Sequence, residues 1–260
     1  MRIATWNVNS VKARQARVLQ WLRDHRPDAL CLQELKTTDE AYPTVAVQEE
    51  GYESAIFGQR AYNGVALLSS HPITEVRRGL DDDDVEDPQA RLIGGRIGGI
   101  TVYSAYFPNG RTVGSESYAY KLAWMGRLLG LLEERHNPDD AVVLTGDFNV
   151  APDDQDAENP ERWAGSVLCH AEARAALERI RDWGLVDVVR KHHPQGGLYS
   201  WWDYRRLAFP RNDGLRIDHI FATLPVAEMS TGAWVDRNQR KGKKTDIPSD
   251  HAPVVADFDL

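Results

Sequence analysis

Cysteine is scarce in this sequence, and the spacings that make cysteine a structural or redox element are missing. The two cysteines, Cys31 and Cys169, lie far apart and outside any Cys-X-X-Cys pair. A framework of several disulfides and a cysteine-rich zinc motif are therefore excluded. We expect both thiols to be reduced and buried, as in a cytosolic protein.

Long hydrophobic runs and nucleotide-binding glycine motifs are also missing. No stretch approaches the ~18 consecutive apolar residues that a membrane span requires. The first residues, MRIATWNV, enter a strand-like pattern at once, so we expect no secretory signal. GxGxxG and Walker A sequences are absent, which argues against the commonest nucleotide cofactors. We expect a cytoplasmic protein without a membrane partner.

Positive charge is in deficit, and the formal net charge is −8. Taken alone, this argues against nucleic-acid binding, because neutralising phosphates requires lysine and arginine. An acidic total does not exclude an enzyme that acts on nucleic acid, since a metal site needs acids and a basic surface can coexist with a negative net charge. Acids concentrate at 81–84 and 152–161, and bases concentrate at 237–244 and around Lys12, Arg14 and Arg17. The basic run 237–244 fits either a solvated loop or a contact for a phosphate backbone.

Strand-like and helical patterns are interleaved along the whole chain. Apolar spacing predicts helices at 11–24 and 116–135, and strong helix formers predict a third at 170–182, which Gly184 ends. Hairpin-length links join 64–69 to 73–78 and 92–97 to 100–107, so strict βαβ alternation is excluded. We predict one α/β domain over residues 1–260, with mixed sheets covered by helices in a layered sandwich. The predicted strands are 3–6, 29–32, 64–69, 73–78, 92–97, 100–107, 141–146, 216–223 and 253–258.

Polar residues stand at six strand ends, where ligands gather in open α/β sheets. An acid at the tail of a buried strand is costly unless it is paired, hydrogen-bonded or bound to metal. Each has a local explanation, such as a turn at Asn7 or a pair between Asp218 and Arg216. Six together make separate local explanations insufficient. The residues are Asn7 and Asn9, Glu34, Tyr106 and Asn109, Asp147 and Asn149, Asp218, and Asp250 with His251.

The segment TGDFNVAP at 145–152 gives the sharpest form of this pattern. Asp147 and Asn149 stand at i and i+2, and in a strand such side chains share a face. We expect Ala151-Pro152 to end the strand. The ligand types across the six ends are carboxylate and amide oxygens, which favour Mg²⁺ or Mn²⁺ over structural zinc. Such a site indicates phosphoryl chemistry, with a metal stabilising charge on a phosphate oxygen.

Eight segments carry a family resemblance. In order they are WNVNSVKAR, LQELK, NGVALLS, YFPNG, GDFNVAP, SWWDYR, GLRIDHI and PSDHAPV. This set resembles the exonuclease III family of AP endonucleases, a branch of the endonuclease/exonuclease/phosphatase superfamily. QE, GDFN and SDH are superfamily-level motifs, whereas SWWDYR and GLRID are more specific to this branch.

The resemblance implies a DNase I-like fold, which is a four-layer α/β sandwich of two packed mixed β-sheets flanked by helices. It implies a monomeric nuclease that depends on Mg²⁺ or Mn²⁺ and takes part in DNA repair. The implied substrates are duplex DNA with abasic sites and recessed or blocked 3′ ends, cut by AP endonuclease, 3′-5′ exonuclease and 3′-phosphatase or 3′-phosphodiesterase activity.

The resemblance also gives roles to single positions. Glu34 resembles the main metal-ligating carboxylate, with Asn7 and Asp250 beside it. Asp147 resembles the residue that orients or deprotonates the attacking water, and Asn149 resembles the amide that holds this water and a phosphate oxygen. Asp147 and His251 are both candidates for the general base.

The remaining positions concern the phosphate and the DNA. His251, oriented by Asp218, resembles the imidazole that contacts the scissile phosphate, and Tyr106 resembles a tyrosine near the phosphate oxygens. Trp201 matches an aromatic position that packs against the baseless sugar, which leaves Trp202 to the core. Asn109 occupies a position that varies within the family. The DNA-facing candidates are Arg111, Lys121, Tyr204 and Arg205.

Two other functions fit part of the pattern. The shared GDFN and SDH motifs also occur in superfamily members that act on phosphoinositides, sphingomyelin or RNA tails. The absence of a signal and of a membrane-facing apolar loop argues against the lipid enzymes. A non-catalytic DNA-binding or scaffold protein is the other alternative, and the complete polar set argues against it.

Overall fold

The strands form two mixed sheets. The computed structural model describes residues 1–80, 87–242 and 246–260. Its strands are β1 (Arg2–Asn7), β2 (Ala29–Gln33), β3 (Glu53–Phe57), β4 (Val65–Ser69), β5 (Thr74–Arg78), β6 (Leu92–Ile97), β7 (Ile100–Tyr106), β8 (Val142–Asp147), β9 (Leu185–Asp187), β10 (Asp218–Thr223), β11 (Ser230–Val235) and β12 (Val254–Phe258). Over the described ranges, the first sheet has the order β11-β12-β1-β2-β4-β3 and the second has the order β5-β6-β7-β8-β10-β9.

The three predicted helices are confirmed, and four short ones join them. The helices of the described residues are α1 (Val11–His25), α2 (Thr44–Glu49), α3 (Glu116–Arg135), α4 (Pro160–Trp163), α5 (Ala171–Asp182), α6 (Val188–His192) and α7 (Leu224–Glu228). Side chains of Ser10 and Ser115 accept hydrogen bonds from the first turns of α1 and α3, which fixes where these helices begin. Among the described residues, no helix combines the length and apolarity needed to span a bilayer.

Alternation along the strands builds four layers. In β1, Ile3 belongs to the core between the two sheets, whereas Trp6 packs outward with residues of α1. In β8, Val143 belongs to the same inner core, whereas Leu144 packs outward against α3 and α5. The order is therefore α1, first sheet, second sheet, then α3 with α5, which confirms the predicted four-layer sandwich.

This alternation places polar strand ends on the inner faces. Odd positions of β1 and β8 face the inner core, so Asn7 and Asp147 point between the sheets. In β10, Ile220 and Ala222 belong to the inner core, so Asp218 points inward as well. The site therefore lies where the inner faces of the two sheets open at one edge of the sandwich.

One predicted hairpin is wrong. Strand β4 pairs with β2 and β3 in the first sheet, whereas β5 pairs with β6 in the second. The short link after Ser69 therefore crosses from one sheet to the other, and Ile73 of this link packs against the inter-sheet core. The other predicted hairpin, β6 with β7, is confirmed, with Ile97 opposite Ile100.

Several side-chain predictions are settled by burial. Cys31 and Cys169 are free and buried, as expected. Trp202 belongs to a buried cluster with Tyr199 and Ala252, as predicted. The acidic run 81–84 lies outside the described residues, as do Lys243 and Lys244 of the basic run.

Candidate active site

Four strands bring the central residues together. Asp147 is the last residue of β8, and its backbone pairs with Tyr106 at the end of β7 and with Asp218 at the start of β10. Asn7 ends β1 on the facing sheet, and its side-chain amide reaches across to Asp147. The side chains of Asn7, Asp147 and Asp218 are buried. The predicted convergence of polar strand ends is therefore present in the fold.

Asn7 joins two carboxylates. Its amide nitrogen donates to Glu34 Oε1 and to Asp147 Oδ2, each at 2.8 Å. Its oxygen accepts the backbone N–H of Asn9 at 3.0 Å, which fixes the orientation of the amide. Asn7 therefore presents its nitrogen, and not its oxygen, to the carboxylates. In this arrangement it holds Glu34 and Asp147 together as a hydrogen-bond donor.

Backbone strain is concentrated around these residues. Glu34 and Lys36, just past β2, have φ values of 54° and 52°, and Asn9 and Asn149 have values of 46° and 50°. A positive φ is uncommon for residues other than glycine and persists where the surroundings impose it, often at functional sites. Lys36 Nζ contacts Glu34 Oε2 at 2.8 Å and donates to Asn9 Oδ1 at 2.6 Å, which ties these strained residues together.

Asp147 and Asn149 meet through a turn, which corrects the strand prediction. Strand β8 ends at Asp147, four residues before Ala151, and Asn149 lies in the left-handed region. The Asn149 backbone N–H donates to Asp147 Oδ1 at 2.9 Å, and its side-chain nitrogen lies 3.3 Å from Asp147 Oδ2. The two side chains are adjacent because Asp147 accepts from the turn that follows it, a local bond that aspartate favours.

His251 is bonded on one side and open to Asp147 on the other. Its Nδ1 lies 2.8 Å from Asp218 Oδ2, and its Nε2 lies 3.7 Å from Asp147 Oδ2. Ser200 donates to Asp218 Oδ2 at 2.6 Å, which orients the carboxylate. The alternative pairing of Asp218 with Arg216 is wrong, because Arg216 pairs with Asp156 and Asp187.

The protonation states follow from burial and charge. Burial favours the neutral ring of His251, but Asp218 and Asp147 outweigh it and raise the pKa of His251 to about 10. Burial raises the pKa of Asp147 to about 7, and the charge of His251 opposes this rise. Burial and the carboxylates of Glu34 and Asp147 raise the pKa of Tyr106 well above 10, so its phenol remains a donor.

The state of His251 can be measured directly. In metal-free protein we expect its ring to stay protonated through pH 8, because the folded-state pKa of about 10 lies far above the ordinary value. Asp218→Asn removes the nearest negative charge and should lower this pKa, as followed by NMR titration of the ring. Asp139→Asn, at an exposed position, is the control and should change nothing. A wild-type ring titrating near its ordinary value would contradict the assignment.

A group of possible metal ligands lies at this edge. One ligand atom each from Glu34, Asp147 and His251 lie within 4.8 Å of one another, among the described residues. A protonated imidazole cannot ligate a metal. Within this group, the carboxylates of Glu34 and Asp147 are therefore the ligands available to a metal ion. Hard oxygen donors suit a divalent cation such as Mg²⁺, so the residues fit the predicted kind of ion.

Asp250 lies beside this group and has its own partners. Its Oδ1 accepts from Asn9 and its Oδ2 accepts from the Trp201 indole, both at 3.0 Å. Burial opposes its ionisation, but His251 and these two bonds hold the pKa of Asp250 below its usual range. Asp250 is therefore ionised, and it connects the indole of Trp201 to the strained Asn9.

Two clefts open next to the site. One of about 740 Å³ is lined by Asn109, Trp163, Trp201 and Arg205 among others. The other, of about 420 Å³, is lined by Tyr106 and again by Asn109. Arg111 lines both clefts, and Asn109 donates to Asn149 Oδ1 at 3.0 Å, which joins the clefts to the centre. Tyr204 lines neither cleft, is exposed, and donates to the carbonyl of Pro248 at 2.7 Å.

Lys121 is not on the DNA-facing surface, which corrects that prediction. Lys121 belongs to α3 and its side chain is fully buried, with the ammonium group donating to backbone carbonyls. The basic run is also partly folded. Arg240 is buried and donates to the carbonyls of Asp250 and Trp202, whereas Arg237 stacks over Phe209 at 4.2 Å.

Several contributing residues were not singled out from the sequence. Ser200 orients Asp218, Lys36 pairs with Glu34, and Trp163 packs edge-on against Trp201 with ring centroids 5.7 Å apart. Ser200 is the first residue of the segment SWWDYR and Lys36 is the last residue of LQELK, so the motifs contained a signal for them. Trp163 stands in no such motif, and only the fold brings it to Trp201.

A carboxylate cluster facing an imidazolium, at the edge of two packed sheets, defines a phosphoester hydrolase of the α/β sandwich class. The model of the endonuclease/exonuclease/phosphatase family matches residues 4–251. The chain belongs to this family.

Known proteins similar to the chain include nucleases and a phosphatase. Exodeoxyribonuclease III of Haemophilus influenzae is 35% identical over 270 residues, with 99% of this chain and 100% of that protein covered. The solved structure of an AP endonuclease from Archaeoglobus fulgidus has a TM-score of 0.95 at 39% identity. That of the 3′ phosphatase NExo from Neisseria, bound to a product DNA hairpin, has a TM-score of 0.94 at 39% identity. Both structural matches cover 100% of each chain.

Proposed function

We propose that this protein is a metal-dependent DNA repair nuclease that hydrolyses phosphodiesters at abasic sites and at 3′ ends of duplex DNA. The observation that carries the proposal is the group formed by Glu34, Asp147 and His251, which the Asn109–Asn149 hydrogen bond connects to two clefts lined by exposed arginines. The relatives named as exodeoxyribonuclease III, AP endonuclease and 3′ phosphatase support the same class of substrate.

Mg²⁺ is the proposed ion, with Mn²⁺ as a substitute. Glu34 is the main ligand of this ion, and Asn7 and Asp250 lie beside Glu34. Asn7 is hydrogen-bonded to Glu34, and Asp250 is linked to Glu34 through Asn9 and Lys36. When bound, the ion supplies positive charge next to a phosphate oxygen. Lys36 and Asn7 hold the two oxygens of Glu34, so this carboxylate is fixed before substrate arrives.

The protein's own groups divide the work of hydrolysis. Asp147, whose pKa is raised to about 7, takes the proton of the attacking water. His251 is an imidazolium held by Asp218, so it stabilises negative charge on the phosphate and is unsuited as the base. Asn149 presents its amide beside Asp147 to hold the water, and the protonated Tyr106 donates to a phosphate oxygen.

The clefts are the proposed DNA-binding surface. Trp201 offers its partly exposed indole to a baseless sugar, with its ring held by Asp250 and Trp163. Asn109, Arg111 and Arg205 line the same cleft, and their exposed side chains can reach the phosphate backbone. Tyr204 is the remaining DNA-facing candidate. We propose that residues 1–260 act as a single domain and as a monomer.

A comparison of substrates tests this proposal. Rates are measured on duplex DNA with one abasic analogue, on a recessed 3′ end and on a 3′-phosphate, each with Mg²⁺ and with EDTA. An RNA tail and phospholipid headgroups are the competing substrates. We expect metal-dependent turnover of the three DNA substrates and little of the others. Faster turnover of a headgroup or an RNA tail would replace the proposal with that function.

Trp201→Ala should separate sugar recognition from chemistry. Stacking of a base on an aromatic side chain contributes about 1–3 kcal/mol, and we assign the contact with a baseless sugar to the lower part of this range, so KM for abasic DNA should rise by about 10-fold. Activity on a 3′-phosphate should change less. Trp183→Ala, at a partly buried position away from the clefts, is the control and should leave KM unchanged. An unchanged KM in Trp201→Ala would remove this residue from the sugar site.

A further inference from the structure

The turn that presents Asn149 is held at two consecutive carbonyls. The Asn149 carbonyl accepts from Lys121 Nζ at 2.7 Å, and the Val150 carbonyl lies 2.9 Å from His219 Nε2. Lys121 stands on α3 and His219 stands on β10, so the two partners come from different elements of the fold. Both side chains are fully buried.

Lys121 also fixes the segments on either side of the turn. Its ammonium donates to the carbonyl of Val167 at 2.7 Å and to that of Asn109 at 3.3 Å. Asn109 and Val167 both line the larger cleft. One buried nitrogen thus connects the Asn149 turn to two walls of this cleft. Burial lowers the pKa of Lys121 to about 7, and the charge of Asp147 opposes this shift. The ammonium form has three N–H donors, one for each of the three carbonyls, whereas the neutral amine has two.

The bonding of His219 settles which ring nitrogen carries its proton. Arg216 Nη1 lies 3.1 Å from His219 Nδ1, and a guanidinium can only donate. Nδ1 must therefore accept, and the proton is on Nε2, where it donates to Val150. Burial and the charge of Arg216 lower the pKa of His219 to about 4, which keeps the ring neutral. Arg216 is itself fixed by Asp156 and Asp187.

Donors at both carbonyls matter because the turn is strained. Asn149 has a φ of 50°, and its side-chain nitrogen donates to the Phe107 carbonyl at 3.0 Å. A buried carbonyl without a donor carries a desolvation cost, so loss of either partner favours a rotated turn. Rotation of this turn would move the Asn149 amide away from Asp147.

We propose that Lys121 and His219 are positioning residues that act on the reaction through the Asn149 turn. Neither touches the substrate. Lys121 and His219 hold consecutive carbonyls, so the amide of Asn149 stays beside Asp147 in the geometry needed for attack. The inference rests on the proposed nuclease function, and it replaces the DNA-facing role first expected of Lys121.

Lys121→Met and His219→Leu remove the donors and keep much of the side-chain volume. We expect single-turnover cleavage of abasic DNA to slow by about 10- to 100-fold, because a small misplacement near the reacting atoms has effects of that size. The Kd for DNA should stay within about twofold of wild type. His219→Gln retains an N–H donor and an acceptor and should recover most of the rate. Glu133→Gln, exposed on the same helix, is the control.

A double-mutant cycle distinguishes positioning from general damage. In an Asn149→Ala background, Lys121→Met should cause little further loss of cleavage rate, because its effect passes through the missing amide. Losses that multiply would overturn the inference, and so would full activity in both single variants. A wild-type protein that cuts no DNA would defeat the proposed function instead.

NMR tests the arrangement without any activity. In wild type we expect a neutral His219 ring with its proton on Nε2 across pH 5.5–8, because its pKa is lowered to about 4. The side-chain amide signals of Asn149 should shift in Lys121→Met and remain unchanged in Glu133→Gln. A proton on Nδ1, or unchanged Asn149 signals in a folded Lys121→Met protein, would overturn the inference even if no variant could be assayed.

Discussion

Asp147→Asn should lower kcat on abasic DNA by about 10²- to 10⁴-fold, the range for removal of a general base. Asparagine keeps the shape of the side chain and can still accept the Asn149 N–H, but it cannot take a proton from water. The Kd for DNA should change little, because Asp147 is buried and the proposed DNA contacts lie in the clefts. The two effects should therefore separate cleanly.

The measurement is single-turnover cleavage at saturating enzyme, together with a binding titration. Asp139→Asn makes the same chemical change at an exposed position and serves as the control. A variant that binds poorly yet cuts at the wild-type rate once saturated would show that Asp147 serves binding. The general base would then have to be sought elsewhere.

Glu34→Gln should show the second large effect. Mutating a residue that hydrogen-bonds a metal ligand lowers activity or metal affinity by about 10- to 100-fold. Mutating the proposed main ligand itself should lower them at least as much. The glutamine removes a negative charge while retaining the side-chain length. We therefore expect cleavage to require a higher Mg²⁺ concentration and to remain below the wild-type maximum.

The test is the cleavage rate as a function of Mg²⁺ concentration in both proteins. Glu49→Gln, at an exposed position, should reproduce the wild-type curve. If Glu34→Gln had the same midpoint and maximum as wild type, Glu34 would not be the metal ligand. If Glu34→Gln raised the midpoint Mg²⁺ concentration but reached the wild-type maximum rate, Glu34 would contribute to metal affinity alone.

The sequence predicted the central strands because they are long and end in polar residues. Short apolar, β-rich runs identified β1, β7 and β8, and the polar residues at or just after the ends of these runs supplied the candidates Asn7, Tyr106 and Asp147. The strands β3, β9 and β11 were missed, because they are edge strands whose segments ESAIF, LVD and STGAWV contain no apolar run as long as those of the central strands. Edge strands have a partner on one side only, so the sequence constrains them less.

Pairing between strands was predictable only where a local turn decides it. The β6–β7 link is a tight turn, and the hairpin followed. The link between β4 and β5, residues 70–73, is also short enough for a hairpin, but the packing of the two sheets decides which strands pair. Loop length alone does not distinguish a hairpin from a crossing between sheets.

Side-chain direction was the hardest feature to predict. The family resemblance implied a DNA-facing side chain for Lys121, yet Lys121 points inward to three carbonyls that come from distant parts of the chain. The Asp147–Asn149 contact was predicted with the right residues but the wrong backbone, because the sequence does not show that Asn149 adopts a left-handed conformation. The networks around Asn7 and His251 depend on the same long-range placement.

The central claim is that the group of Glu34, Asp147 and His251 hydrolyses DNA phosphodiesters with a divalent metal. Its most direct test is incision of a labelled duplex carrying one abasic analogue, first in EDTA and then after Mg²⁺ is restored. We predict no incision in EDTA and a single cut at the analogue once Mg²⁺ is restored. Incision that EDTA leaves unchanged, or no incision after Mg²⁺ is restored, would contradict the claim.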